Sequence, residues 1–513
     1  MKKYLLLLGV ILLWGCIEDK GNYEYALCRE LTVKDMDRGY ILTVGESVEL
    51  TPKVILKYDE TETEIKGAEL EWKLNQKVVC NEPVFTFEAE TNGVFDGLLR
   101  ITDPVSGSSS FHEFTITVES RYERGFVILA EEGGKSRLSF IRSKWTTKPD
   151  TVVYAGEYRH IYVQENGEDL KGLPWSVTEH WKNDNGEQNG ELTLITADEQ
   201  GVYAQELNGE SMKRETWIRQ EFENGVLPAG CRPKQILHTC WDSFILDESG
   251  KVYTRRSGTK EGFHTGYFSD KVALWNGRKF DRLFFNNYNW SGVILALEID
   301  EESGERNYVG IYSDNWRPTN NLKRLKITGE TDGFYDVKDE ILFSDWRSDD
   351  NYYGTMSVVQ KTPQNDYVLH CFGIGTSSQT TTAMDWSVKI NLTEELGVTQ
   401  VNGMCTNKIS NYTYFCDDHT IYWVDNEYDE DWGEMKTFGK KIVTIADQSI
   451  FIPHANYPVS LAVGFEDGTV EIWEIDRKDA ASFTKRVFIS EHTFGKIKQI
   501  LGKAGNSSSF FLI

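Results

Sequence analysis

Three short stretches of the chain put aromatic rings next to amides and carboxylates. They are Asn286-Asn287-Tyr288-Asn289-Trp290, Asn315-Trp316-Arg317 and the run from Asp345-Trp346-Arg347 to Asn351-Tyr352-Tyr353. Aromatic faces stack on sugar rings and pack on peptide side chains, while neighbouring amides and carboxylates fix hydroxyls or backbone. Tyr288, Trp290, Trp316, Arg317, Trp346, Tyr352 and Tyr353 are therefore the candidate ligand contacts, read as loop residues. The competing reading is that these tryptophans are packing residues between strands. The acidic aromatic stretch 425–432 reads as a solvated loop.

Catalysis has weaker support. None of the nine His stands in an HExxH pattern, and there is no GxSxG nucleophile elbow and no phosphate-binding P-loop. Propeller glycosidases need paired carboxylates, but 80 acidic residues supply pairs by chance. His180, in Thr178-Glu179-His180-Trp181, reads as a loop or packed residue rather than a base. No acid, base or nucleophile can be named, and a non-enzymatic protein is expected. A propeller glycoside hydrolase, lyase or peptidase is the alternative. No CxxC and no EF-hand-like loop occurs, so no metal and no cofactor is expected.

The elements that must position these residues show a repeat. In Ser243 to Thr254, an apolar run (Phe244, Ile245, Leu246) enters a polar turn closed by Gly250, and Val252-Tyr253 leaves it. This is a hairpin signal. It returns at 192–203 and 461–473, with looser copies at 126–141, 293–312, 356–372 and 412–423. The tetrad Lys-Gln-Ile-Leu also occurs twice, at 234–237 and 498–501. Strand pairs recurring at roughly 50 to 60 residues predict a β-propeller over 121–513. Seven blades are expected, with eight the alternative, and the apolar end 510–513 is expected to complete the first blade. Stretches 171–190, 352–356 and 425–435 read as loops, and 393–397 as a helical turn.

Before this region, residues 27–120 read as a small β-sandwich, with strands expected at 40–44, 47–54, 70–74, 84–89, 95–102 and 110–118. Trp72 is the large residue of a central strand. The fold class is therefore all-β: an Ig-like sandwich followed by a propeller. An aromatic content of 13% agrees with this. The formal charge of −25 repels nucleic acid and anionic membranes, so no nucleic-acid partner is expected.

The N-terminus has Lys2 and Lys3, a short apolar run from Tyr4, and Leu13-Trp14-Gly15-Cys16. This resembles a bacterial lipobox. It implies a signal peptide over 1–15, lipidation of Cys16, and a tether over 16–26, with Trp14 larger than the usual residue there. The apolar run is too short for an ordinary membrane span, so attachment through lipid alone is expected. Seven further Cys remain. Cys28 with Cys80 and Cys231 with Cys240 are candidate disulfides, and free thiols are the equal alternative.

The start Cys16-Ile17-Glu18-Asp19-Lys20-Gly21-Asn22-Tyr23-Glu24-Tyr25, the Ig-like segment and Gly125-Phe126-Val127-Ile128-Leu129 together resemble the PKD-like family lipoproteins of Bacteroidetes. The likeness is close over 16–25, moderate over the sandwich and only a pattern beyond it. It implies export to the outer face of the outer membrane. It further implies an accessory role beside a SusC-like TonB-dependent transporter and a SusD-like lipoprotein, capturing oligosaccharide or peptide or bracing the complex.

Overall fold

The computed structural model describes residues 29–503 apart from 59–60, 146–151, 182–189, 239–241, 257–266, 274–277, 285–292, 314–321, 326, 330–332, 349–352, 379–380, 408–409, 427–430, 449–458 and 477–478. The chain forms two compact units, Met1–Glu119 and Ser120–Ile513.

The first unit is a sandwich. Its larger sheet runs in the order Gly39–Thr43, Ser109–Glu119, Gly93–Thr102, Glu69–Leu74, Lys77–Cys80. A three-stranded sheet (Glu30–Lys34, Lys53–Tyr58, Thr61–Glu64) and the pair Ser47–Leu50 with Phe85–Glu88 complete it. Alternation of apolar and polar residues sends Phe114, Ile116 and Val118 inward from one strand and Leu99 and Ile101 from its neighbour. Trp72 is fully buried among them, as expected of the central strand. Its ring lies against Phe85 and Phe114, and its indole N–H donates to the Glu82 carbonyl at 2.9 Å. Burying that large apolar body is favourable only because the one polar atom keeps a partner.

The described residues of the second unit form seven sheets, each an antiparallel meander, to which the fifth adds the short strand Ile327–Gly329 parallel to Thr381–Asn391. The second to seventh follow one another along the chain. Their innermost strands are Leu173–Trp181, Pro233–His238, Arg278–Phe284, Glu340–Ser348, Gly403–Thr406 and Ile442–Asp447. The first sheet is completed from the far end of the chain: Lys496–Lys503 pairs with Gly125–Glu132, which pairs with Lys135–Trp145 and then Val152–Tyr158. The 510–513 end was expected in this place. The strand that closes the ring is instead Lys496–Lys503, whose Ile497 and Ile500 are buried against the first and seventh sheets. Residues 510–513 lie outside the described part.

The interfaces show the ring directly. Each successive pair of sheets shares one apolar core. Val127 and Leu129 meet Val177 and Leu194 between sheets one and two, and Ile195 meets Ile236 and Ile245 between two and three. Phe244 meets Phe280 and Ile294 between three and four, and Phe284 meets Trp346 and Phe372 between four and five. Leu369 meets Phe415, Ile421 meets Leu461, and Ala462 meets Phe126, which returns to sheet one. Seven cores joining seven sheets in a closed cycle define a seven-bladed β-propeller, an arrangement that leaves only short protected edges. In six blades the inner strand carries a β-bulge where it pairs with the second strand. Bulges increase local twist, and twist is what sheets packed around an axis require.

Three stretches read as loops are largely strand. Leu173–Trp181, Tyr353–Lys361 and Trp432–Thr437 are ladder-paired. Polar residues made them look like loops, although each pairs with a neighbouring strand along its length. The helical turn is present as Leu392–Leu396, with the Asn391 side chain accepting from the Glu394 amide and Gly397 ending it at positive φ. Cys80 and Cys231, the members of the candidate disulfides that lie within the described residues, are free thiols.

Candidate functional site: a polar layer at the ends of the inner strands

In a four-stranded meander, the connections from first to second strand and from third to fourth leave from the same edge. In blade four that row holds Phe284, Leu295, Gly310 and Leu325. In blade five it holds Ser348, Gly354, Ile374 and Met384. The inner-strand ends of neighbouring blades are tied together on this edge. The Thr406 amide donates to Asp345 Oδ2 at 2.7 Å across blades five and six. Gln448 Nε2 donates to Ser143 Oγ at 3.0 Å and to the Gly125 carbonyl at 3.3 Å across blades seven and one. Gly502 is required for that approach, because a Cβ there would stand 2.1 Å from the Asp447 carbonyl oxygen.

The edge is apolar between some blades and ionic between others. Lys503, fully buried at the end of the closing strand, donates to the Glu123 carbonyl at 2.8 Å and lies 3.6 Å from the Glu179 carboxylate. Burial holds its ammonium below the usual lysine range, and the facing carboxylates oppose that shift.

Between blades two and three the layer is richest. His180 and His238 stack with ring centroids 3.8 Å apart and planes 18° apart. Thr193 Oγ1 lies 3.3 Å from His180 Nδ1 and 3.0 Å from His238 Nε2. The outer nitrogens face further acceptors: His238 Nδ1 is 2.8 Å from Ser243 Oγ, and His180 Nε2 is 3.6 Å from the Glu191 carboxylate. Glu206 is buried beside both rings and accepts from Arg255 Nη2 at 2.7 Å, while Arg255 Nη1 lies 2.5 Å from Glu221. The guanidinium also lies over the Phe268 ring. These residues come from adjacent strands in register: Thr193 opposite Glu206, and Ser243 opposite both His238 and Arg255. Ile195, Ile236 and Ile245 form the apolar floor beneath. Ser243 is fully buried, so its bond to His238 gives the hydroxyl no access to an acyl group.

The sequence-predicted contacts fall in two groups. Tyr288, Trp290, Trp316, Arg317, Tyr352 and Cys16 lie outside the described residues. Tyr353 opens the strand Tyr353–Lys361. Trp346 is no loop residue: it lies in the strand Glu340–Ser348, is 5% exposed, and packs with Phe284, Tyr308 and Phe372. Gly354 makes room for it, since a Cβ there would meet the indole at 2.3 Å. A ring so enclosed cannot stack on a ligand, and Trp346 is a core residue. His180 is the packed residue it was read as, but the cluster around it was missed. Its strand members stand on six strands of two blades, and no local spacing announces them. Cys231 and Cys371 are poor nucleophiles, because burial pushes their thiols up to about 12.

Residues 16–174 match the model of the PKD-like family. The match begins at Cys16, covers the sandwich, and ends in the inner strand of blade two. No curated protein matches the chain. Among solved structures, the chain is similar to a quinonprotein alcohol dehydrogenase-like protein from Bacteroides thetaiotaomicron VPI-5482. That likeness has 14% identity, covers 92% of this chain and 99% of that one, and has a TM-score of 0.36. The chain is also similar to the Dos1 propeller, at 9% identity over 75% of this chain and 93% of that one, with a TM-score of 0.40. The fold assignment rests on strand order and on the closed cycle of cores.

Proposed function

We propose that the protein is a lipid-anchored accessory of a nutrient importer on the outer face of the outer membrane, with the propeller as its recognition domain. The observation that carries this reading is that the PKD-like match starts at Cys16, the same residue the lipobox-like stretch marks for lipidation. A lipidated Cys followed by Glu18 and Asp19 fits surface export, and the net charge of −25 fits a solvated exterior. The ring of blades is a rigid support, and connections placed on such a scaffold are where recognition usually resides. The connections carrying Tyr288-Asn289-Trp290 and Trp316-Arg317 both start and end on one edge of blade four. Oligosaccharide or peptide is the ligand class these aromatic and amide groups suit.

The test is to extract the lipidated protein from its own outer membrane in mild detergent and identify what accompanies it by mass spectrometry. A TonB-dependent transporter and its lid lipoprotein in stoichiometric amounts are expected. Recovery of the protein alone would overturn the accessory role. Trp290→Ala and Trp316→Ala are then expected to weaken capture of the ligand that the lid binds, with thermal unfolding unchanged.

A further inference from the structure

We propose that the polar layer between blades two and three is a binding site for one divalent cation of the zinc class, held by His180, His238 and Glu206. The donor atoms of these three buried residues lie within 4.8 Å of one another. Two imidazole nitrogens, His180 Nδ1 and His238 Nε2, already converge on one point, the Thr193 hydroxyl oxygen, at 3.3 and 3.0 Å. An ion bound beside that oxygen would take both nitrogens at a zinc–nitrogen length of about 2.0–2.1 Å. Two imidazoles and one carboxylate form a donor set suited to zinc, with the Thr193 oxygen or a water in the fourth position.

The groups behind the ligands give independent support. A histidine that ligates through one nitrogen is normally oriented through the other, by a hydrogen bond to a carboxylate, carbonyl or hydroxyl. Here His238 has Ser243 Oγ at 2.8 Å from Nδ1, and His180 has the Glu191 carboxylate at 3.6 Å from Nε2. The Ser243 contact can hold the His238 ring with Nε2 toward the shared point, while the Glu191 carboxylate faces His180 Nε2 from beyond hydrogen-bond distance. Arg255 contributes in a second way. It pairs with Glu206 and Glu221 together, which fixes the orientation of the Glu206 carboxylate. His180 and Glu206 belong to blade two and His238 to blade three, so the ion would cross-link the two blades at their common edge.

The experiment uses the full mature chain, stripped with a chelator at neutral pH and titrated with Zn²⁺. Metal content is read by elemental analysis and thermal unfolding in parallel. One equivalent of tightly held zinc is expected, with a raised unfolding temperature; Mg²⁺ should produce neither. Replacement by Co²⁺ is expected to give d–d bands without the near-ultraviolet thiolate charge-transfer band, which separates this site from zinc held on the free cysteines. His238→Asn is expected to weaken zinc at least ~100-fold, more than the ~10- to 100-fold typical of supporting residues. Thr193→Val, which keeps all three ligands, is expected to retain one equivalent. If the native chain takes up no stoichiometric zinc, the proposal fails. It also fails if His238→Asn binds as tightly as the native chain, or if the cobalt form shows a thiolate band.

Discussion

The interface between blades two and three and that between blades four and five occupy equivalent places in one repeated scaffold, and they are filled in opposite ways. At the first, the inner-strand ends bring together His180, His238, Glu206 and Arg255 over a floor of isoleucines. At the second, the corresponding ends supply Phe284 and Trp346, and the layer beneath adds Tyr308, Phe334 and Phe372. Backbone geometry therefore does not dictate chemistry on this edge. An apolar filling gains directly from area removed from water. An ionic filling must first overcome the desolvation of each charge, and it holds only while every partner is present. The aromatic interface is where stability is expected to come from, and the ionic one is where a constraint beyond stability is indicated.

The largest effect expected from breaking this contrast is at Glu206. Glu206→Ala leaves the buried Arg255 with Glu221 alone and should cost roughly 3–5 kcal/mol, read from urea unfolding. Glu206→Leu with Arg255→Met and Glu221→Gln removes all three charges and should recover most of that loss. If the triple variant is as unstable as the single one, the ionic layer is a genuine source of stability and the contrast is wrong. Trp346→Ala tests the other interface. Deleting a buried indole should cost about 3–5 kcal/mol, and here no paired change restores it, because the loss is a cavity.

Within the aromatic interface lies a buried imidazole. His370 is fully buried, its ring packs against Phe334 and Phe372, and neither ring nitrogen has a hydrogen-bond partner. Burial first, and the nearby Lys389 second, push its pKa down to about 3. The sign follows from linkage. The folded state keeps His370 neutral, while the unfolded chain takes up a proton below the ordinary value near 6.5. Stability is therefore full above that value and falls as the pH drops toward 3, by at most about 1.4 kcal/mol per pH unit. His370→Leu should flatten this acid limb and raise the unfolding temperature more at pH 5 than at pH 7.5. An equal effect at both pH values would show that His370 is not the titrating group.

What was legible in the sequence was local. The turn after Phe244-Ile245-Leu246 is written in its residues: Asp247 Oδ1 accepts from the Ser249 and Lys251 amides, and Gly250 takes a positive φ of 83°. Turns of this kind, repeated, gave the propeller and its blade number. Several sandwich strands were legible for the same reason, but 47–54, expected as one strand, is two, Ser47–Leu50 and Lys53–Tyr58, and Glu30–Lys34, Thr61–Glu64 and Lys77–Cys80 were not foreseen. The polar inner strands were not, because Glu179-His180 reads as surface unless the facing blade is known. Trp346 was misplaced by the same logic in reverse: its neighbours Asp345 and Arg347 are polar, so a buried ring looked exposed. The His180–Glu206–His238 grouping depends on the register between sheets, which no single stretch of sequence encodes.

The Lys-Gln-Ile-Leu echo lies between these cases, visible in the sequence but uninterpretable there. Both copies are inner strands, Pro233–His238 of blade three and Lys496–Lys503 of blade one. In each, the Gln amide clamps the backbone of the next blade's inner strand. Gln235 donates to the Leu283 carbonyl at 3.2 Å and accepts from the Leu283 amide at 3.0 Å. Gln499 does the same to Val177, at 2.8 and 3.0 Å. Val177 and Leu283 are both buried, so truncating either Gln orphans one amide and one carbonyl, at about 1–3 kcal/mol for each group left without a partner. Gln499→Ala and Gln235→Ala should therefore destabilise by similar amounts, although one clamp acts from the strand that closes the ring and the other sits mid-chain. Closure is carried by the backbone ladder between Lys496–Lys503 and Gly125–Glu132, which neither substitution touches. A much larger loss for Gln499→Ala, measured by the same urea unfolding, would mean that the ring is fastened by this side chain and not by the ladder.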